Sequence, residues 1–294
     1  MTAYLKHYLA KFAGRLLVFL LFLCLYAARR ADIGRFMQAG SLSELQADAA
    51  AAPGTFLCLA LLWILFLWTM LTHLFPGLLP ERLHTYALLK SIPGRLHSSA
   101  RPNSVPGYAA ADPSVPEHAA DPSMLAPLAA DPTFLEQKLP PILIEQNRGA
   151  RYVMVAWCLL NCPVFLLYRR GVIGGAELLL LTVFYYVCDY ICILLWCPFQ
   201  TFLMKCKCCV NCRIFDWGHI MMFTPMAFAG GILPKLLFLV SAAVFVRWEL
   251  SFAKYPAQFN EWSNPRLRCA ACKERICAVK KGVKRTFRSW IGKT

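Results

Sequence analysis

The sequence predicts an all-α integral membrane protein with about six transmembrane helices, and three observations lead to this fold class. Hydrophobic residues make up 58% of the 294 residues and charged residues only 16%, whereas a soluble domain has roughly half and a quarter. Apolar runs of about twenty residues recur, long enough to cross a bilayer as helices. A Pro- and Ala-rich stretch separates the first two runs from the rest.

Residues 1–79 form the predicted N-terminal two-helix membrane segment. Three basic residues precede the apolar run from Leu16 to Ala28, which is the arrangement of a signal peptide or a signal anchor. Two arginines follow directly and make a poor cleavage site, so we expect an uncleaved anchor. The second span is predicted from Gly54 to Phe75, after an external loop with one short helix around Ser41 to Ala52.

Residues 80–150 have a different composition from the stretches on either side. They hold eleven of the nineteen prolines and repeat the tetrapeptide Ala-Ala-Asp-Pro three times. A segment with so few aromatic residues cannot bury a core of its own. We therefore predict a disordered Pro/Ala-rich linker between the second and third spans.

Residues 151–252 form the predicted four-helix membrane segment. Its four spans are predicted at Tyr152–Tyr168, Gly175–Trp196, Phe215–Leu233 and Leu236–Phe252. Pro225 and the pair Gly230 and Gly231 weaken the helix of the third of these spans. The last two spans are expected to form a hairpin that returns the chain to the side from which it started.

The charge distribution predicts the orientation in the membrane. Lys and Arg outnumber Asp and Glu by 31 to 16, and cytoplasmic loops are usually the ones rich in Lys and Arg. With both termini inside, 24 basic residues fall on the cytoplasmic side and six outside. We therefore expect a multi-pass protein of a bacterial inner (plasma) membrane, with both termini in the cytoplasm.

The C-terminal tail, residues 253–294, is the most basic part of the chain. Its stretch from Ile276 to Ile291 spaces apolar residues by three and four with basic residues between them, which predicts an amphipathic helix on anionic lipid. A redox or protein partner on the same face is a further expectation. Nucleic acid is the weaker expectation, since no nucleic-acid-binding motif accompanies the charge.

The candidate site is a cysteine-rich loop at residues 197–213, between two apolar segments. Five of the fourteen cysteines lie in these seventeen residues, and three more lie in the tail. The eight cysteines are Cys197, Cys206, Cys208, Cys209, Cys212, Cys269, Cys272 and Cys277. Such density among basic residues on a reducing face favours thiolate ligands over disulfides.

Each of the two cysteine groups contains a C-x2-C pair, formed by Cys209 and Cys212 and by Cys269 and Cys272. This spacing lets one turn of backbone offer two thiolates to one metal. We predict that these four residues share one metal centre, with the other four cysteines as additional candidates. The metal is structural zinc or an iron–sulfur cluster that relays electrons. Thiol redox chemistry, lipidation or no site at all are the alternatives.

A second hypothesis is a small ion- or metal-coupled transporter. Asp189 and Glu177 are the acids assigned to apolar spans, where a charge is costly and often marks an ion path. Asp189 precedes the cysteine loop and is the better candidate for such a role. The alternative is an interfacial aspartate paired with Lys205 or Arg213.

Two further expectations complete the functional analysis. His219 is interpreted as a membrane-surface histidine rather than an additional metal ligand. The chain has no phosphate-binding glycine loop, nucleophile elbow, dinucleotide fingerprint or zinc-protease motif, so the sequence names no catalytic residue and leaves an enzymatic role undecided. A membrane scaffold without a metal site is the third hypothesis.

Overall fold

A computed structural model describes residues 3–75, 132–206 and 212–260, together with Asn264, Leu267, Cys277 and Lys280. These described parts of the chain are helical and contain no strand, which agrees with the predicted all-α class. We name the α-helices in chain order as α1 (Ala3–Gln38), α2 (Leu42–Ala51), α3 (Pro53–Leu74), α4 (Pro132–Arg169), α5 (Gly175–Leu194), α6 (Gly218–Phe223) and α7 (Ile232–Lys254).

Five helices among the described residues are long and apolar enough to cross a membrane, namely α1, α3, α4, α5 and α7. The spans predicted from Gly54, Gly175 and Leu236 correspond to α3, α5 and α7. The short helix predicted near Ser41 is α2, and Ser41 caps it by accepting a hydrogen bond from the Glu44 N–H.

Helices α1 and α4 are longer than predicted. Helix α1 continues past the predicted apolar run to Gln38, with non-helical backbone angles at Arg29 that mark a kink. Helix α4 begins at Pro132, inside the stretch assigned to the linker, and joins the predicted third span into one helix. The remainder of the predicted linker lies outside the described residues.

The predicted continuous span from Phe215 to Leu233 is wrong. This part of the chain is a 3-10 turn at Phe215–Trp217, the short helix α6 and a second 3-10 turn at Thr224–Ala227, followed by extended backbone at Gly231. Pro225 lacks the N–H that a continuing helix would need. We call residues 214–231 the interrupted segment.

The interrupted segment nevertheless runs from one end of the helix bundle to the other. We call the end that carries the cysteine loop the loop end. Successive contacts follow the segment away from it, in the order Arg213 to Glu249, His219 to His73, Phe223 to Phe66, Phe228 to Phe165 and Gly231 to Met37. The start of α1 and the end of α7 therefore lie at the same end, whereas the side of the membrane that this end faces stays a prediction.

The interrupted segment is tied to α1 at the end opposite the loop end. The N–H of Gly231 donates to the Met37 carbonyl at 3.1 Å, and the N–H of Ile232 donates to the Ala39 carbonyl at 3.0 Å. A Cβ atom on Gly231 would lie 2.5 Å from the Met37 oxygen. Glycine is therefore required at this position because of close approach, and α7 starts from a fixed point.

We predict that Gly231→Ala destabilises the protein by about 1–3 kcal/mol, because the added methyl group must displace the backbone of Met37. Gly230→Ala is the matched control, since the nearest atom to its Cβ position is the Tyr168 hydroxyl at 4.0 Å. Thermal unfolding in mild detergent measures both variants. Equal melting temperatures for the two variants would contradict the close approach.

Candidate functional site

The cysteine loop leaves the end of α5 as a compact turn. Residues Phe199–Met204 form one turn of π-helix, and Lys205 ends it in the left-handed conformation with φ of 50°. The Gln200 N–H donates to the Cys197 sulfur at 3.4 Å, and the Gln200 side chain donates to the Cys206 carbonyl at 2.9 Å. Gln200 is buried and thus holds the two ends of the turn together.

The described cysteines of the loop end form two hydrogen-bonded thiol pairs. The Cys192 thiol donates to Cys197, and this hydrogen bond is the main reason that the pKa of Cys197 is lowered, with the Gln200 N–H and the Lys280 charge acting in the same direction against desolvation. The second pair joins Cys212 to Cys206. Donation to Cys206, followed by burial, raises the pKa of the Cys212 thiol.

An ion pair fixes the end of the cysteine loop to α7. The Arg213 guanidinium binds both carboxylate oxygens of Glu249 and lies 3.8 Å over the Phe252 ring. The Trp217 indole donates to the same carboxylate at 2.6 Å. The Arg213 side chain is only 8% exposed, so the residue next to Cys212 is anchored by a buried charge pair.

The described residues of the tail lie back against the loop end. After α7, Phe259 packs on Trp248 and Phe252 with ring centroids 5.9 and 5.4 Å apart. Leu267 is 4% exposed although it lies far beyond the last helix. Further on, the Lys280 amine donates to the Gln200 side chain at 3.1 Å. The tail therefore returns to the cysteine loop.

The predicted metal ligands are only partly within the described residues. Cys208 and Cys209 of the loop and Cys269 and Cys272 of the tail lie outside them, whereas Cys197, Cys206, Cys212 and Cys277 lie inside and form no disulfide. In the part of the chain that is described, no group of three or more His, Cys, Asp or Glu side chains is arranged to hold a metal ion. The predicted four-thiolate set therefore stays a prediction.

Asp189 has a different partner from the two expected ones. It pairs with Arg15 of α1 at 2.7 Å, not with Lys205 or Arg213. The Arg15 guanidinium also lies 4.0 Å from the ring centroids of both Tyr186 and Tyr190. Arg15 can reach this carboxylate because α1 and α5 pack side by side. Sequence separation hid the pair.

Two histidines lie beside the Arg15–Asp189 pair. His219 is buried and contacts the His73 ring edge-on, with centroids 4.4 Å apart, so the interpretation of His219 as a surface residue is wrong. Asp189 and Arg15 are near enough to act electrostatically on His73. We call Arg15, His73, Asp189 and His219 the polar cluster.

Glu177 lies at the far end of α5 from the polar cluster. Its carboxylate accepts hydrogen bonds from the Tyr26 hydroxyl at 2.8 Å and the Gly174 N–H at 2.7 Å, and it pairs with Arg30. These contacts stabilise the start of α5. They give Glu177 a structural role.

Three charged or titratable residues at the loop end were missed by the sequence analysis. They are Arg15, His73 and Glu249. Glu249 falls inside the predicted span Leu236–Phe252, so an acid in an apolar run was a visible signal there. His73 and Arg15 sit at span ends, where polar residues carry no such signal.

Comparison of the chain with known protein-family models, with curated proteins and with solved structures gives no match.

We predict that Glu249→Gln destabilises the protein by about 2–3 kcal/mol, because it leaves the buried Arg213 charge without its carboxylate. The same variant should raise the alkylation rate of Cys212, which mass spectrometry of the labelled peptide measures. Asp32→Asn is the control, since Arg29 and Arg35 beside it are mostly exposed and such pairs contribute less than ~1 kcal/mol. An unchanged Cys212 rate in Glu249→Gln would contradict the anchoring role.

Proposed function

We propose that this chain is a multi-pass membrane protein with a cysteine-ligated metal centre at its loop end. The ligands are Cys209, Cys212, Cys269 and Cys272, and Cys197, Cys206, Cys208 and Cys277 are the additional candidates. The observation that carries the proposal is the return of the tail to the cysteine loop through Lys280 and Gln200.

The anchored loop supports the proposal. Cys212 is 4% exposed and precedes Arg213, whose ion pair with Glu249 fixes the backbone there. Its partner in the C-x2-C pair, Cys209, is three residues away. A metal site gains affinity when its ligands are held before the ion binds.

The buried tail supports the second half of the ligand set. Leu267 is buried only two residues before Cys269. Lys280, eight residues after Cys272, contacts the loop, and eight residues span at most about 28 Å. Cys269 and Cys272 are thus tethered on both sides to the loop end.

The donor set is suited to two kinds of metal centre. Four thiolates close the tetrahedral shell of a structural zinc ion, and the same four can hold an iron–sulfur cluster. Zinc would clamp the tail to the bundle. An iron–sulfur cluster would exchange single electrons with a redox partner on that face. The basic residues after Lys280 are proposed to contact anionic lipid.

We predict that each of Cys209→Ser, Cys212→Ser, Cys269→Ser and Cys272→Ser loses most of the bound metal, because a three-thiolate shell is left open. Elemental analysis for zinc and iron after anaerobic purification measures the loss. The matched controls are Cys24→Ser and Cys58→Ser, which change exposed cysteines on the apolar helices α1 and α3. Full metal retention in all four ligand variants, or a metal-free wild-type protein, would favour the scaffold hypothesis.

The polar cluster favours a second candidate function, an ion- or metal-coupled transporter. The interrupted segment passes directly beside Asp189, since a Cβ on Gly218 would lie 3.3 Å from the carboxylate. Broken helices that meet ionisable residues inside a bundle are the usual sites of substrate and coupling ions in transporters. His73 and His219 extend the cluster along the segment.

For this second candidate, we predict that Asp189→Asn abolishes saturable Zn²⁺ uptake into proteoliposomes. The variant also leaves Arg15 unpaired, so a double variant, Arg15→Gln with Asp189→Asn, removes both charges together. If Asp189 carries the ion, uptake stays lost in the double variant, whereas Glu177→Gln at the far end of α5 retains it. Uptake restored in the double variant would make the pair purely structural.

A further inference from the structure

A cavity of about 420 Å³ lies between α4 and the interrupted segment. Its walls are almost entirely apolar and include Val153, Trp157 and Phe165 of α4, Met221 and Phe228 of the interrupted segment, and Phe238 of α7. The volume falls within the usual range of small-molecule pockets, ~300–1,000 Å³. None of the described residues that line it is charged.

The cavity exists because α4 meets the interrupted segment only at separate points. At the loop end Gly149 packs closely on Met204, and at the other end Phe165 contacts Phe228. Cys158 and Cys162 line the cavity and are exposed. The cavity therefore opens to the outer face of α4, which in a membrane is surrounded by lipid.

One polar side chain in the cavity wall has an unused hydrogen-bonding atom. Asn161 is 2% exposed, and its side-chain N–H donates to the Trp157 carbonyl at 2.9 Å, which fixes the orientation of the amide. Its carbonyl oxygen, Oδ1, has no hydrogen-bond partner among the described residues. An unpaired buried acceptor is costly, so this site favours a ligand that brings a donor.

The neighbouring polar groups do not supply that donor. The Trp157 indole N–H donates to the Thr224 hydroxyl at 3.0 Å, and this hydroxyl donates in turn to the Ile220 carbonyl at 2.7 Å. A water molecule needs two to four polar partners to remain in a cavity, whereas Asn161 Oδ1 offers one acceptor within an apolar wall. A lipid acyl chain would fill the space but leave Oδ1 unpaired.

We propose that this cavity binds a membrane-soluble alcohol, a molecule with an apolar body and a hydroxyl group that donates to Asn161 Oδ1. The body would occupy the apolar wall between Trp157 and Phe228. Entry would be from the lipid past Cys158 and Cys162. The site is separate from the cysteine loop, so it does not depend on the metal centre.

The test is photolabelling of the purified full chain in lipid nanodiscs with two probes, a diazirine-bearing hexadecanol and its methyl ether. The two probes have the same apolar chain, but only the alcohol can donate a hydrogen bond. We expect the alcohol to label peptides of α4 or the interrupted segment at about fivefold lower concentration, the size of one net hydrogen bond. Labelling by the two probes at equal concentrations would overturn the proposal.

Two variants make the test specific. Asn161→Leu keeps the approximate side-chain volume but removes the acceptor, and we expect it to abolish the preference for the alcohol while its melting temperature stays equal or rises. Cys158→Ala lines the same cavity and should keep the preference. A preference that persists in Asn161→Leu would overturn the assignment of Asn161, and the wild-type comparison of the two probes decides the proposal even if that variant does not fold.

Discussion

The backbone of the interrupted segment is the constraint on which the rest of the structure depends. A continuous helix satisfies its own peptide groups, whereas 3-10 turns around Pro225 do not, and non-helical backbone inside a membrane is tolerated only when protein or a cavity surrounds it. The bundle meets this requirement at both ends. Arg213 is fixed by Glu249, and Gly231 and Ile232 donate to the end of α1.

This constraint concentrates the chemistry of the chain at the loop end. Because the segment starts beside Cys212 and passes His219, the thiol pairs and the polar cluster occupy neighbouring positions of one bundle end. Helix α7 then returns the chain to the same end, where Phe259 and Leu267 are buried. The loop, the cluster and the tail therefore share one structural support, the packing of α6 between α3, α5 and α7.

The sequence predicted the apolar helices well because each satisfies a local rule. Uncharged runs of sufficient length gave α3, α5 and α7, and the cap at Ser41 marked α2. The segment from Phe215 failed because hydrophobicity predicts burial and does not by itself establish a helix. Pro225 and the two glycines carried that information, but whether they bend or interrupt a helix depends on what packs beside them.

The candidate site was predictable only in its composition. Cysteine spacing identified Cys209, Cys212, Cys269 and Cys272, but the elements that hold the loop depend on tertiary contacts. Glu249 pairs with Arg213, and Lys280 contacts Gln200, across sequence separations of 36 and 80 residues. Residues 253–268, expected to be slack, include the buried side chains of Phe259, Asn264 and Leu267, which shows that apolar contacts order part of a basic tail.

X-ray absorption spectroscopy of the anaerobically purified protein tests the central claim most directly, because it reports the ligands of the metal without requiring a variant. The account predicts zinc or iron surrounded by four sulfur atoms, with metal–sulfur distances of about 2.3 Å. Such a shell requires thiolates from both C-x2-C pairs or their neighbouring cysteines. A shell dominated by oxygen or nitrogen, or no metal in the sample, would contradict it.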